Sequence, residues 1–425
     1  MNKIMIDTVN KIKLIDNYML FIYGYLFIMP WNFFKGQMGL FTVILFIWWL
    51  IKFREGISLK LRTIFEFKPL LLFILFISYT YISILWSSDF LNGFYYVNSF
   101  NKYYFLVIPF IFTSMNSAEA KISLKILILS FACYSIFSLL IYFNLFTIQE
   151  TGSDSLNPKG IMAYSTSTQY MVIGSIASLF YAIFTKTKII KVFFFILSIL
   201  CFFALFVNIS RTSQLSFLLS LFTIILIYYR ARIFQIKSIL IIIIMVVIIL
   251  FTSWIILEKS NTIERYKTIY YEINTIIDKD IYEGSVGARI FFNKAGLEIF
   301  LNNPIFGTGP FDNWIEHRKI QENAHNFNHP YVSSLHSTHF EILTAFGLIG
   351  YSLLSLSIVS LLYSLRCNKE YFYIGLSFYI STFYISFANG NFFKKPINYV
   401  LIVTFILLCV IAYKEIGNKK NDSTS

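Results

Sequence analysis

Apolar runs long enough to cross a bilayer recur from one end of this chain to the other, and that recurrence limits what it can fold into. A helix needs about 20 mostly apolar residues to cross the hydrocarbon core, where every backbone polar group must find its partner inside protein. Twelve runs are legible: 18–34, 38–51, 69–86, 102–115, 122–148, 161–184, 189–208, 212–229, 238–257, 338–364, 371–388 and 397–413, of which the second and fourth are short. With 57% hydrophobic and 13% charged residues, no water-facing surface could hide them. The sequence therefore predicts an all-α polytopic membrane protein of about twelve transmembrane helices with one large loop that carries short helices. Residues 1–257 would hold nine spans, 258–337 the loop, and 338–425 three spans and a tail. The first apolar run lacks a small-residue cleavage site and reads as a retained span.

Orientation follows from the basic residues. With the amino terminus inside, the inner segments hold 21 of the 35 lysines and arginines and the short outer loops hold 6. Such an excess marks the cytoplasmic face, so both termini are expected there and the 258–337 loop outside. The net charge of +13 is mostly this edging, which faces anionic headgroups and gives no reason to expect nucleic acid. Cys133, Cys201, Cys367 and Cys409 form no spaced pair, so neither a disulfide framework nor a zinc site is expected.

The long loop is where a site can be built. "NTIERYKTIYYEINTII" (261–277) spaces its apolar residues as an amphipathic helix lying on the membrane surface. A second helix is expected to begin after "EGSVGAR" and to run until Pro304, and "IFGTGPFDN" reads as turn. Two arginines stand at helix starts: Arg211 behind Ser210 at the head of the eighth run, and Arg289 in the first turn of the loop helix behind Gly284, Ser285 and Gly287. A cation there opposes the helix dipole by some tenths to about 1 kcal/mol. An anion would compensate, because exposed N–H groups and a guanidinium bind phosphate together. Either arginine taken alone also reads as one snorkelling to the interface.

All five histidines, His317, His325, His329, His336 and His339, fall in one short segment. Imidazole suits proton transfer near neutrality. Pairs three and four apart could share a helix face toward a metal, but Pro330 interrupts them and no cysteine joins them, so no metal site is expected. Plain interfacial packing is the remaining reading. The span interiors are nearly free of charge, which disfavours an ion-coupled transporter, and no nucleotide-binding signature occurs.

Three patterns occur in order, all on the predicted outer face: "SRTSQLS" (210–216), "GARIFFNKAGLEIFLNNPIFGTGP" (287–310) and "HSTHFEILTAFGLIG" (336–350). Together they resemble the O-antigen ligase and O-antigen polymerase superfamily of bacterial inner-membrane glycan transferases. Ser337 stands where that family has asparagine after the histidine, and Ala345 where an acid often precedes the glycine. The resemblance implies a glycosyltransferase with no cofactor, facing the periplasm. Its donor would be a glycan on undecaprenyl diphosphate, and its acceptor lipid A-core or a second lipid-linked glycan. Arg211 and Arg289 would bind the diphosphate and stabilise the leaving group, His336 would deprotonate the acceptor, and His339 would orient the acceptor or simply pack. Neighbouring histidines with Trp314, Phe327 and Tyr331 would line a sugar-binding surface. A ligase is favoured because "SVGARI" to "NPIFGTGP" looks closest to that branch; a polymerase is the alternative and a lipid-linked sugar flippase a distant one.

Overall fold

Inside a bilayer a chain must satisfy its own backbone, and this one does so with helices. The computed structural model describes residues 16–31, 37–101, 103–208, 210–229, 262–327, 330–390, 393 and 397–424. In chain order the helices are α1 (Asn17–Ile28), α2 (Gln37–Lys52), α3 (Ile57–Glu66), α4 (Lys68–Ile82), α5 (Phe90–Asn101), α6 (Tyr104–Ser114), α7 (Ser117–Tyr142) and α8 (Tyr164–Phe184). They continue as α9 (Lys188–Val207), α10 (Arg211–Tyr229), α11 (Thr262–Lys279), α12 (Gly284–Asn302), α13 (Asp312–Asn323), α14 (Thr338–Leu365), α15 (Lys369–Ile385) and α16 (Ile397–Thr424). Among the described residues, strand-like pairing is confined to two isolated bridges. The protein is an all-α, multi-pass membrane protein.

Seven described helices are long and apolar enough to cross a membrane: α4 with its extension to Trp86, α7, α8, α9, α10, α14, and α16 as far as Ile416. The first, second, fourth and eleventh predicted runs form shorter helices, α1, α2, α6 and α15, and the ninth, 238–257, lies outside the described residues. Helix ends differ from run ends because caps, not hydropathy, set them. The run 122–148 becomes a helix over 117–142: the Asn116 side chain accepts from the Glu119 N–H at 3.0 Å while the Glu119 carboxylate accepts from the Asn116 N–H at 2.8 Å. That capping box starts α7 a full turn early.

In the membrane body α8 is buried almost throughout, packed among α7, α9, α10 and α15. Small polar residues let these helices approach, and they bond across the gap: Ser175 Oγ donates to the Ser198 carbonyl at 3.1 Å and Ser198 Oγ to the Ser175 carbonyl at 2.8 Å. Aromatic rings fill the rest, as where Phe131 stacks on Tyr170 at 4.8 Å. Helices α11–α13 and their connections form an insert with a small core of its own, in which Phe291 and Phe327 stack at 4.1 Å beside Tyr282 and Phe292.

A backbone crossing joins insert to body. Helix α14 breaks at Gly347 (φ 61°, ψ −166°), which frees carbonyls and N–H groups inside a helix long and apolar enough to cross a membrane. Residues 304–309 fill the break. The N–H groups of Thr308 and Gly309 donate to the carbonyls of Thr344 and Ala345 at 2.8 and 3.2 Å, and those of Leu348 and Ile349 donate to Pro304 and Ile305 at 2.8 and 3.2 Å. A Cβ at Gly307 would stand 2.6 Å from the Ala345 carbonyl carbon, and one at Gly347 would enter the Ile305 backbone. The Gly-x-Gly of the insert and the Gly-x-x-Gly of α14 thus meet in one crossing.

Candidate functional site

A polar cavity of about 450 Å³ lies at the end of the body that carries the insert. Five segments line it: Leu156 and Asn157 between α7 and α8, Tyr164 and Ser165 at the head of α8, Asn208, Ser210, Arg211 and Thr212 between α9 and α10, Ser285 and Arg289 on α12, and Asn389 beyond α15. The turn that presents Arg211 is pinned from below. The Asn208 amide donates to Ser138 Oγ at 2.7 Å and to the Ala204 carbonyl at 2.8 Å, the Tyr164 hydroxyl donates to the Asn208 carbonyl, and Ser210 bonds Ser213 at 3.0 Å. Arg211 is the first residue of α10, as its sequence position implied.

The structure brings Arg211 and Arg289 together in this cavity. Burial pushes the Arg289 pKa down, the positive charge of Arg211 adds to the shift, and Glu272 opposes it. A buried guanidinium beside a second cation is a setting that an anion carrying more than one charge can complement. Hydroxyl and amide groups on the remaining walls offer neutral hydrogen bonds.

Arg289 does not occupy the first turn that the sequence suggested. Helix α12 starts at Gly284 (φ +68°), which puts Arg289 in the second turn. The earlier start is possible because Glu272, reaching over from α11, accepts from the Val286 N–H at 2.8 Å. The anion expected at this helix end is therefore the protein's own carboxylate. A cap supplied from fourteen residues away leaves no local signature.

His336 is not among the residues that line the cavity. It adopts φ +51° and its ring stacks on Phe292 with centroids 5.5 Å apart and planes 14° apart. Phe292 follows Arg289 by three residues, so one face of α12 carries the guanidinium and the ring that holds the imidazole. His317 meets Phe292 edge-on at 5.1 Å. It is buried, with Nδ1 3.4 Å from the Ser333 carbonyl and Nε2 3.3 Å from the Gln321 amide nitrogen. Burial pushes its pKa down to about 4, against the Ser333 carbonyl and with help from the charge of His336. His325 is exposed and His329 lies outside the described residues. Among the described residues, no group of three His, Cys, Asp or Glu side chains is arranged to hold a metal.

His339 is separated from His336 by a helix cap. Ser337 accepts from the Phe340 N–H and starts α14, so His336 belongs to the preceding loop and His339 to the helix. The His339 ring faces an apolar cavity of about 310 Å³ among α4, α14, α15 and α16. Its Nε2 donates to the Phe383 carbonyl at 2.9 Å, its Nδ1 accepts from the Tyr351 hydroxyl at 3.1 Å, and it packs on Phe387 at 4.5 Å. The three aromatics do not form one surface either. Phe327 is buried in the insert core, and Trp314 packs edge-on to Tyr96 at 4.8 Å with its N–H bound to Glu341. Tyr331 is exposed beneath the Arg318 guanidinium at 5.1 Å. Sequence reasoning passed over Glu272 and Glu341; the available signal was that each acid stands among apolar neighbours with no basic residue one helical turn away.

A family model described as O-antigen ligase matches residues 196–355, from within α9 to the middle of α14. The match covers about two fifths of the chain and supports a relation to the O-antigen ligase and polymerase superfamily. The matched stretch contains both arginines, both histidines of α14 and its approach, and the glycine crossing. The match indicates ligase- or polymerase-type activity and suggests lipid-linked glycan substrates at a membrane. No curated protein matches the chain.

Proposed function

We propose that the protein is an O-antigen ligase of the bacterial inner membrane, passing a glycan from undecaprenyl diphosphate to lipid A-core oligosaccharide. The observation that carries this reading is the meeting of Arg211 and Arg289, from separate helices, in one polar cavity. The lysine and arginine distribution supports a cavity at the periplasmic face with both termini in the cytoplasm. In the reaction the acceptor hydroxyl attacks the anomeric carbon opposite the departing diphosphate. The new carbon–oxygen bond forms as the old one breaks, which inverts the centre. The acceptor proton passes to His336, and the charge left on the diphosphate is met by the two guanidinium groups. His339, with both ring nitrogens engaged, is assigned to packing in this reading.

A polymerase would use the same donor site with a lipid-linked repeat unit as acceptor, so the acceptor is what must be tested. Deletion of the protein should leave bare lipid A-core on a lipopolysaccharide gel while chains accumulate on the carrier; core capped with one repeat unit would show a polymerase instead. Arg289→Ala should slow transfer about 100- to 1000-fold, the cost typical of losing a group that stabilises developing charge. Turnover by purified protein without any ion gradient separates transfer from transport.

A further inference from the structure

The strap that carries His336 ends on a single buried acid. Glu341, in the first turns of α14, is 2% exposed, and donors from three separate elements converge on it. Its Oε1 accepts from the Leu335 N–H at 2.8 Å. Its Oε2 accepts from Trp314 Nε1 at 3.0 Å and Asn313 Nδ2 at 3.2 Å on α13, and from the Tyr96 hydroxyl on α5 at 3.5 Å. The Ser334 hydroxyl stands beside this carboxylate, and its oxygen accepts from the His336 N–H at 3.1 Å. The acid thus holds the backbone of the residue immediately before the histidine.

We propose that Glu341 is a positioning residue for glycan transfer: a buried, acceptor-only anchor that fixes the backbone of His336. This rests on the assignment of His336 as the base. Two non-glycine residues with positive φ flank the network, His336 at +51° and Phe311 at +75°, the latter immediately before α13. Such conformations persist only where the surroundings over-determine them. Glu341 supplies that restraint at both points, through Leu335 on one side and Asn313 and Trp314 on the other. The chemistry required is that of a carboxylate. Leu335 and Trp314 present N–H groups that can only donate, to opposite oxygens, so a side-chain amide would set a donor against one of them.

The test compares Glu341→Gln with Glu341→Asp in purified protein with a lipid-linked donor. If the acid merely fills space, the isosteric Gln should be the better tolerated. As an acceptor-only anchor it predicts the reverse order. Gln should lower kcat about 10- to 100-fold with donor KM within about twofold, and Asp should keep at least about three times the turnover of Gln. Hydrogen exchange in residues 330–337 should accelerate in Gln. Combined with His336→Ala, Gln should cost little further, because the two act as a unit. Gln turning over as well as Asp, unchanged exchange, or full additivity with His336→Ala would each overturn the proposal. If His336→Ala alone keeps wild-type turnover, the base assignment falls, and the exchange measurement decides the anchor by itself. Should Glu341→Gln fail to fold, Ser334→Ala removes the hydroxyl beside the acid that accepts from the His336 N–H; it should lower kcat several-fold and speed exchange over the same residues, and no change in either would overturn the proposal.

Discussion

The membrane body and the insert are held together by different means. In the body, dozens of buried aromatic and aliphatic side chains share one continuous core, and hydrogen bonds such as the Ser175–Ser198 pair are additions to packing that already exists. The insert has four buried core aromatics. It is fixed instead by buried polar side chains that seize backbone groups. Gln321 donates to the Val332 carbonyl at 2.8 Å and accepts from its N–H at 3.2 Å, His317 takes the Ser333 carbonyl, and Glu341 takes the Leu335 N–H. A polar substitution should therefore be cheap in the body and expensive in the insert, since an orphaned buried group costs more than a lost bond contributes.

The largest expected effect tests the seam between the two. Gly347→Val would place a branched side chain at positive φ against the Ile305 backbone, and it should remove more than about 4 kcal/mol and with it most folded protein. Fluorescence-detected size exclusion of detergent extracts checks this, and a monodisperse variant would break the account of the crossing.

Next comes pH. His317 titrates near 4 in the folded insert against an ordinary 6.5. Protons therefore bind the unfolded insert first, so its stability is complete above about pH 6.5 and drains as pH falls toward 4. The loss is on the order of 3 kcal/mol. Melting scans of purified protein across that window should show it, and His317→Gln should flatten the dependence. A third comparison carries a smaller effect: Ser175→Ala in the body should cost about 0.6 kcal/mol, the usual size of a hydrogen bond between membrane helices. The smallest is the exposed pair Arg318–Glu322 at 2.7 Å, where Glu322→Ala should stay within about 0.5 kcal/mol. Equal costs for Ser175→Ala and the insert's buried polar substitutions would erase the contrast.

The same contrast explains what the sequence made legible. The body could be read as spans because hydrophobicity is a property of each segment by itself: α8, α9, α10 and α14 fall on their predicted runs within a few residues, and α7 is displaced by about a turn. The insert could not be read as well, because its positions are set by contacts between distant residues. Glu272 moves the start of α12, and Ser337 parts two histidines that share a three-residue spacing. Gly307 and Gly347 were legible as turn and helix glycines, yet only tertiary contact shows that they serve one crossing. At the candidate site, the position of Arg211 at a helix start was legible from its own helix. Its convergence with Arg289 was implied only through resemblance.

That convergence is tested most directly by binding of an isoprenoid diphosphate to purified protein in nanodiscs, with Arg211→Ala, Arg289→Ala and the double variant beside the wild type. The account predicts that each single change weakens binding about 10- to 100-fold, that the pair shows coupling, and that the corresponding isoprenoid alcohol binds poorly to all four proteins. Wild-type affinity in the variants, or an alcohol that binds as tightly as the diphosphate, would contradict it.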